Sequence, residues 1–320
     1  MWRWLEVPYV NFTMMRAYRR LAKGDRNGAM AIAGRLKERR YPPCYEFIAD
    51  IHLSEFENEA AVAVLREGVA QCPGDHAIRL RLAAALSDAG HYDEALSQLD
   101  AAQAMPDAAA DRLSLDYNRA IILARKRDLD AALEISRRLL ADPELPFASA
   151  GLRCLIHAVH VGFLARSGQA EAAIRFHEAN MGGLDMASDD ARPEQAEVWE
   201  TYAKALVDAG RFADAEAAVR NGLDRDLSHA DLFGVWRLMH GGSPDIERDY
   251  MQIFVISDGS RSGKPHATCL VAADDVEEAL DLIRVFMPKP LRDSLSAWHV
   301  QHYERRPMAK GVYGIKPLPA

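Results

Sequence analysis

Residues 76–106 read HAIRLRLAAALSDAGHYDEALSQLDAAQAMP, the clearest copy of a unit that recurs imperfectly through the first three quarters of a 320-residue chain. Counted on its turn-plus-alanine segment, the unit appears as GDRNGA ending at Ala29, EFENEA at Ala60, GHYDEA at Ala95, RDLDAA at Ala132, GQAEAA at Ala173 and GRFADA at Ala215. The successive spacings are 31, 35, 37, 41 and 42 residues. A period in this range marks an array of small supersecondary units. One helical hairpin cannot bury its apolar face alone, so consecutive hairpins stack and share a continuous core. The longer later spacings put extra residues between hairpins. There ADPELPFAS (141–149) and MGGLDMASDDARP (181–193) collect proline, glycine, serine and aspartate, the residues of turns.

The stretch 76–106 resembles one tetratricopeptide repeat (TPR). The resemblance implies a first helix contacting its neighbours through Leu82, Ala83 and Leu86, and a turn marked by Gly90 and Tyr92. It also implies a tight crossing at Ala95 and an inner face of the second helix at Leu99 and Ala102. The sixth copy has Trp199, Tyr202, Ala203, Gly210 and Phe212 at family positions, whereas the fourth puts Asp116 and Arg119 where apolar residues are usual. The expected fold is mostly α: a TPR-like right-handed α-solenoid of about six helical hairpins over residues 1–240, plus a small C-terminal ββαββ α+β domain over 245–320.

Both ends of the array need closing. Leu232, Phe233, Val235, Trp236 and Met239, in a helix over 228–239 with Ser228 as N-cap, are expected to close one end. Trp2, Trp4, Leu5, Tyr9 and Phe12 are expected to cap the first hairpin, with insertion into a partner or a lipid interface as the alternative. The breaker cluster His240-Gly241-Gly242-Ser243-Pro244 then marks the domain boundary. MQIFVIS (251–257), the turn DGSRSGK and HATCLVA (266–272) predict a strand pair. Asp274 with Glu277 predicts a capping box for a helix whose face is Val276, Ala279, Leu280, Ile283 and Phe286, ended by Pro288 and Pro290. SAWHVQHYE (296–304) and GVYGIK (311–316) predict two further strands.

Composition sets the class. Hydrophobic residues make up 49% and charged residues 27%, the balance of an ordinary folded protein. No apolar run is long enough for a membrane span, and the interrupted N-terminus lacks a signal-peptide cleavage site. Cys44, Cys72, Cys154 and Cys269 lie far apart with no CxxC pair, which predicts buried thiols in a reducing compartment. The formal charge of −8 conceals an asymmetry: residues 16–40 hold nine Lys or Arg against Asp25 and Glu38, a local +7, while residues 41–320 carry −15. The basic segment reads first as a solvated face of the first hairpin, and second as a meeting point for an acidic partner or nucleic acid.

Enzymatic signals are weak. His157 and His160 share a helical face but fall at packing positions, with no third ligand to complete a metal set. His299 and His302, three apart on one strand, point to opposite faces, so they do not chelate together beside His266, Trp298, Tyr303 and Glu304. GSRSGKP (259–265) lacks the glycine spacing and following helix of a phosphate loop. No nucleophile elbow appears. No cofactor and no metal are expected.

The resemblance implies instead a concave face lined by the first helix of each hairpin. Residue by residue its ligand-facing positions fall on Met14, Tyr18, Tyr45, His52, Leu80, Arg81, Tyr117, Asn118, Arg125 and Arg166. The two-lysine and asparagine set that clamps a C-terminal carboxylate in chaperone-binding members is not reproduced. The expectation is a bacterial, cytoplasmic, non-enzymatic adaptor or scaffold that binds a protein or peptide segment in its groove. Nucleic acid is not its expected partner, and the C-terminal domain offers a second surface for docking or self-association. The alternatives are an immunity-type protein neutralising a basic toxin, and an enzyme or ligand sensor with a pocket around His266, Trp298, His299 and Tyr303.

Overall fold

The computed structural model describes residues 3–105, 111–257, 265–287 and 292–318. Trp2, the turn 258–264 with the glycine-rich GSRSGK segment, Pro288 and Pro290 lie outside the described residues, as do the side chains of Trp4, Leu5 and Tyr9. The chain divides into two compact units, Met1–Leu139 and Leu140–Ala320.

The first unit consists of antiparallel helix pairs: α1 (Arg3–Leu21) with α2 (Arg26–Gly34), α3 (Pro42–Ser54) with α4 (Asn58–Gln71), α5 (His76–Asp88) with α6 (Tyr92–Gln103), and α7 (Arg112–Arg125) followed by α8 (Leu129–Leu140). One chemical device repeats in every turn between the two helices of a pair. Gly24, Phe56, Gly90 and Arg127 each adopt a left-handed backbone, with φ of 78°, 60°, 84° and 72°. Five residues after each stands a fully buried alanine: Ala29, Ala61, Ala95 and Ala132. The left-handed residue reverses the chain, and the absent side-chain bulk of alanine lets the two helices cross closely.

This corrects the second anchor. The buried alanine of the second hairpin is Ala61, and Ala60 is only half-buried, because Phe56 rather than Glu55 occupies the left-handed position. The first two spacings become 32 and 34 residues. In the third hairpin Leu82, Ala83, Leu86, Ala95, Leu99 and Ala102 are all buried, as the repeat pattern requires. Gly68 of α4 sits where a Cβ would lie 2.3 Å from Ile78 Cδ1 and 2.9 Å from Tyr45 Cγ, so the next hairpin packs directly on its backbone. Arg119, polar where the fourth copy should be apolar, keeps its guanidinium at the surface on Asp100, 2.8 Å away.

The second unit continues the pattern. It contains α9 (Ala150–Arg166) and α10 (Ala170–Asn180), then α11 (Arg192–Asp208) and α12 (Phe212–Arg225), then α13 (Ala230–His240). Gly168 and Gly210 take the left-handed turn positions, and Ala173 and Ala215 are the buried crossing residues. The extra residues of these longer repeats do not all lie in connections. The first helices α9 and α11 are 17 residues long, against 13 in α3 and α5. The connection before α11 is pinned by buried Gln195, whose Nε2 donates to the Asp185 and Ser188 carbonyls at 2.9 and 2.8 Å. Leu232, Phe233, Val235 and Trp236 of α13 are buried. Its N-cap is His229, however, because Ser228 is turned back on Asp226.

After α13 come β1 (Glu247–Ser257), β2 (Ala267–Ala273), α14 (Val276–Arg284), β3 (Leu295–His302), β4 (Arg306–Pro307) and β5 (Gly311–Pro317). The sheet order is β3-β1-β2-β5, all antiparallel, with β4 on β1. One face of the sheet, carrying Met251, Ile253, Val255, Cys269, Val271 and Ile315, is buried, and α14 contributes Ala279 and Ile283 to the core. Helix α14 starts one residue later than the capping box predicted: Asp275 accepts from the Glu278 N–H, and the Glu278 carboxylate accepts from the Asp274 N–H.

Helix gives way to strand at residues 241–246, where the breaker cluster stands. The compact division nevertheless falls near residue 139, so the sheet and helices α9–α13 make one unit. The join has specific chemistry. Arg237 of α13 donates to the Val312 carbonyl and covers the Tyr313 ring at 3.8 Å, and Phe286 meets Phe233 and Trp236 edge-on at 5.0 and 5.3 Å.

Candidate functional site

In the first unit the first helices of neighbouring hairpins are linked to one another side chain by side chain. Tyr18 of α1 meets Phe47 of α3 edge-on at 4.7 Å. Arg81 of α5 pairs with Asp50 of α3, and Arg125 of α7 pairs with Asp88 at the end of α5 while donating to Ser87 Oγ at 3.1 Å. These partners stand about one repeat apart in sequence, the separation at which equivalent faces of stacked hairpins meet. Further ties have the same spacing: Arg26–Glu57 at 2.5 Å, Lys37–Glu67 at 2.6 Å, Arg66–Glu94 at 2.7 Å and Lys126–Asp93 at 2.6 Å.

The expected ligand-facing residues separate into three groups. Met14 and Tyr45 are core: Met14 is 6% exposed, and Tyr45 is fully buried beneath Gly68 with its hydroxyl 3.5 Å from the Lys37 carbonyl. Burial pushes the Tyr45 phenol up to about 12. Neither residue presents a surface to a ligand, because in these two hairpins the helix rotation sends those positions inward.

Arg125 is exposed, Arg81 and His52 are half-buried, and all three are already engaged. The His52 ring lies 2.6 Å from Glu57, whose carboxyl is held low by His52 and Arg26. An acidic ligand would have to displace these internal carboxylates. Tyr18, Leu80, Tyr117 and Asn118 form the third group. Tyr18 is 56% exposed, Leu80 and Tyr117 are half-buried, and Asn118 donates to the Ser114 carbonyl at 2.8 Å. Arg166, at the end of α9, is exposed and belongs to the second unit.

Two acids on this face went unremarked in the sequence. Glu46 of α3 is half-buried and its carboxyl is raised, by burial first and by Asp75 second. Asp50 is exposed beside Arg81. The spacing of 31 residues from Asp50 to Arg81 was the available signal, since opposite charges one repeat apart on first helices fall side by side.

In the second unit His157, His160 and His177 are buried, at 2, 5 and 2% exposure. His157 Nε2 lies 3.2 Å from His177 Nδ1, and Phe176 packs on His157 and His160 at 5.1 and 4.6 Å between ring centroids. Burial pushes His157 down to about 3 and His177 to about 4. This is a packed aromatic layer in which the His157 and His177 imidazoles are neutral. Among the described residues no group of three or more His, Cys, Asp or Glu is placed to hold a metal ion.

A bulge in β3 displaces Trp298, so that it and His299 both stand exposed beside Phe254 at 6.4 and 5.9 Å, while His302 pairs with Met251 farther along the strand. Tyr303 donates to Gln252 Oε1 at 2.9 Å. The clefts of about 400 and 420 Å³ in this unit are lined by other residues, around Arg220 and Phe286 and around Gly151 and Glu194. Cys44, Cys154 and Cys269 are buried thiols, raised by desolvation to about 12, 11 and 12. Among the described residues no helix is long and apolar enough to cross a membrane.

No family model matches the chain, and no curated protein does. Solved structures do. The apo form of the quorum sensor NprR from B. thuringiensis is similar over 72% of this chain and 70% of its own, with a TM-score of 0.51 and 10% identity. A tetratricopeptide repeat protein from Parabacteroides merdae is similar over 72% of this chain and 85% of its own, with a TM-score of 0.50 and 14% identity. At such identities the likeness is one of fold, and the helical region of this chain is a tetratricopeptide-like repeat array.

Proposed function

We propose that this protein is a non-enzymatic interaction scaffold, and that the first-helix face of residues 1–139 receives a segment of a protein partner. The observation that carries the reading is the run of first helices α1, α3, α5 and α7, locked to one another by Tyr18–Phe47, Asp50–Arg81 and Asp88–Arg125. Such ties hold the surface in one arrangement before a ligand arrives, which lowers the ordering cost of binding. Between the ties stand the half-buried Leu80 and Tyr117, apolar bodies available for anchoring a ligand side chain. Arg81 and Arg125 are neutralised by Asp50 and Asp88, and the half-buried Glu46 adds negative charge to the face, which therefore suits a segment bearing apolar side chains and a basic one.

The test places a photo-crosslinking residue in the full chain at Leu80 or at Tyr117, and for comparison at the exposed Ser97 of second helix α6. Irradiation in cells is expected to trap the same protein partner from positions 80 and 117 and not from 97. Trapping from 97 alone rejects the assigned face.

A further inference from the structure

Seven cations of the first unit, Arg26, Lys37, Arg66, Arg81, Arg119, Arg125 and Lys126, are neutralised by a carboxylate brought from another element. The outer face of α1 gathers cations of the other kind. Among the described residues Arg16, Arg19 and Lys23 make no ion pair, and of the neighbouring cations only Arg20 does, with Asp25 at 2.5 Å. These four cations, with Asp25 and Ile32, line an open cleft of about 320 Å³.

The geometry of the row is informative. Phe12, Arg16 and Arg19 succeed one another at intervals of four and three residues, which places them in a single line along α1, about 10 Å long, and Lys23 follows in the turn after the helix ends at Leu21. Val10, Met14 and Ala17, on the opposite side of α1, are buried. Phe12 is 56% exposed and Met15, beside it, 48%. The line therefore carries two exposed apolar side chains at one end and unneutralised cations along the rest.

We propose that the outer face of α1 docks on an anionic phospholipid bilayer. In this arrangement Phe12 and Met15 enter the boundary between headgroups and acyl chains. Arg16, Arg19, Arg20 and Lys23 meet lipid phosphates, the long cationic stems lying along the apolar surface with their heads at the phosphate level. A surface of mobile headgroups can bring phosphates to each of these cations, whereas a protein partner would need fixed carboxylates at matching intervals. The rest of the first unit orients the contact. Residues 41–139 of the same unit carry −7, so an anionic surface attracts the basic segment and not the hairpins that follow it.

The test is co-sedimentation of the full-length protein with vesicles. Binding is expected to vesicles containing phosphatidylglycerol in phosphatidylcholine, to be lost on phosphatidylcholine alone, and to weaken with added salt. Each cation near an anionic surface is worth about fivefold in partitioning, so the triple variant R16A, R19A and K23A is expected to lose roughly a hundredfold. Phe12→Ser loses affinity without changing the salt dependence. The variant R137A and R138A, which removes exposed cations elsewhere in the same unit, is expected to bind like the parent. Circular dichroism melts of each variant confirm that the fold is kept. Equal binding to both vesicle types, or triple-variant binding equal to that of the parent, overturns the proposal. So does saturable binding of a polyglutamate peptide or inorganic phosphate to the same residues without vesicle binding.

Discussion

The imidazole of His177 lies nearly parallel to the ring of Tyr202, 3.8 Å between centroids and 7° between planes, at the contact of α10 with α11. Its other neighbours are His157, Trp199 and the helix-mate Glu178, the last acting weakly to raise it. The stack is made by a neutral imidazole, and protonation would put a charge inside an aromatic layer.

A pH dependence follows from this burial. His177 is pushed down to about 4 and His157 to about 3, against an unfolded value near 6.5. Between those limits the unfolded chain binds more protons than the folded one, so stability is full above about pH 6.5 and falls as pH drops toward 4. The loss from His177 alone is about 3 kcal/mol. Urea unfolding at a series of pH values reads it. His177→Phe is expected to flatten the slope between pH 6.5 and 4.5, and an unchanged slope would show that carboxylates carry the effect.

The hairpin turns make a second prediction. Phe56 is 92% exposed and Arg127 is also at the surface, yet both hold the left-handed backbone that glycine takes in the other four turns. A non-glycine residue there costs about 1–2 kcal/mol, partly offset by the larger chain entropy that glycine loses on folding. Phe56→Gly and Arg127→Gly are expected to stabilise by roughly 0.5–1 kcal/mol each, and Gly90→Ala to destabilise by a similar amount. Thermal melts compare them directly.

Close approach at Gly68 is tested by adding one methyl group. Gly68→Ala drives a Cβ to 2.3 Å from Ile78 Cδ1 and 2.9 Å from Tyr45 Cγ, and is expected to cost about 1–3 kcal/mol. At Gly74 a new Cβ meets nothing within 4 Å, so Gly74→Ala serves as the control. Ile78→Val should recover part of the Gly68→Ala loss by removing the methyl that collides. Full additivity of the two changes would place the strain elsewhere.

Tyr45 and Tyr117 distinguish packing from recognition. Removing the fully buried Tyr45 ring is expected to cost about 3–5 kcal/mol as a cavity. The half-buried Tyr117 should cost less stability and more partner affinity, read as crosslinking yield from Leu80. Equal losses of both quantities in the two variants would remove Tyr117 from the binding face.

Much of the fold was legible because the repeat is written in small residues. Ala29, Ala95, Ala132, Ala173 and Ala215 are crossing residues in the sequence pattern and buried crossing residues in the structure, since a close helix crossing admits little besides alanine or glycine. The second anchor slipped by one residue where no glycine marked the turn and Phe56 took its place. The sheet was legible from its β-branched runs and the helix between them.

Sequence alone thus determined the helical pairs, their approximate period, four of the five strands with the helix between them, and the charge asymmetry between residues 16–40 and the rest, while the two-residue β4 was missed. These are local properties, set by side-chain size, turn chemistry and composition. Tertiary structure decided which polar residues are already engaged. Arg81 and Arg125 read as ligand contacts until Asp50 and Asp88 are brought to them from the neighbouring hairpin, and Tyr45 reads as a surface anchor until Gly68 lets the next hairpin close over it. Partners a full repeat apart meet only when hairpins stack, and the rotation of each helix in that stack decides whether its side chain faces solvent or core.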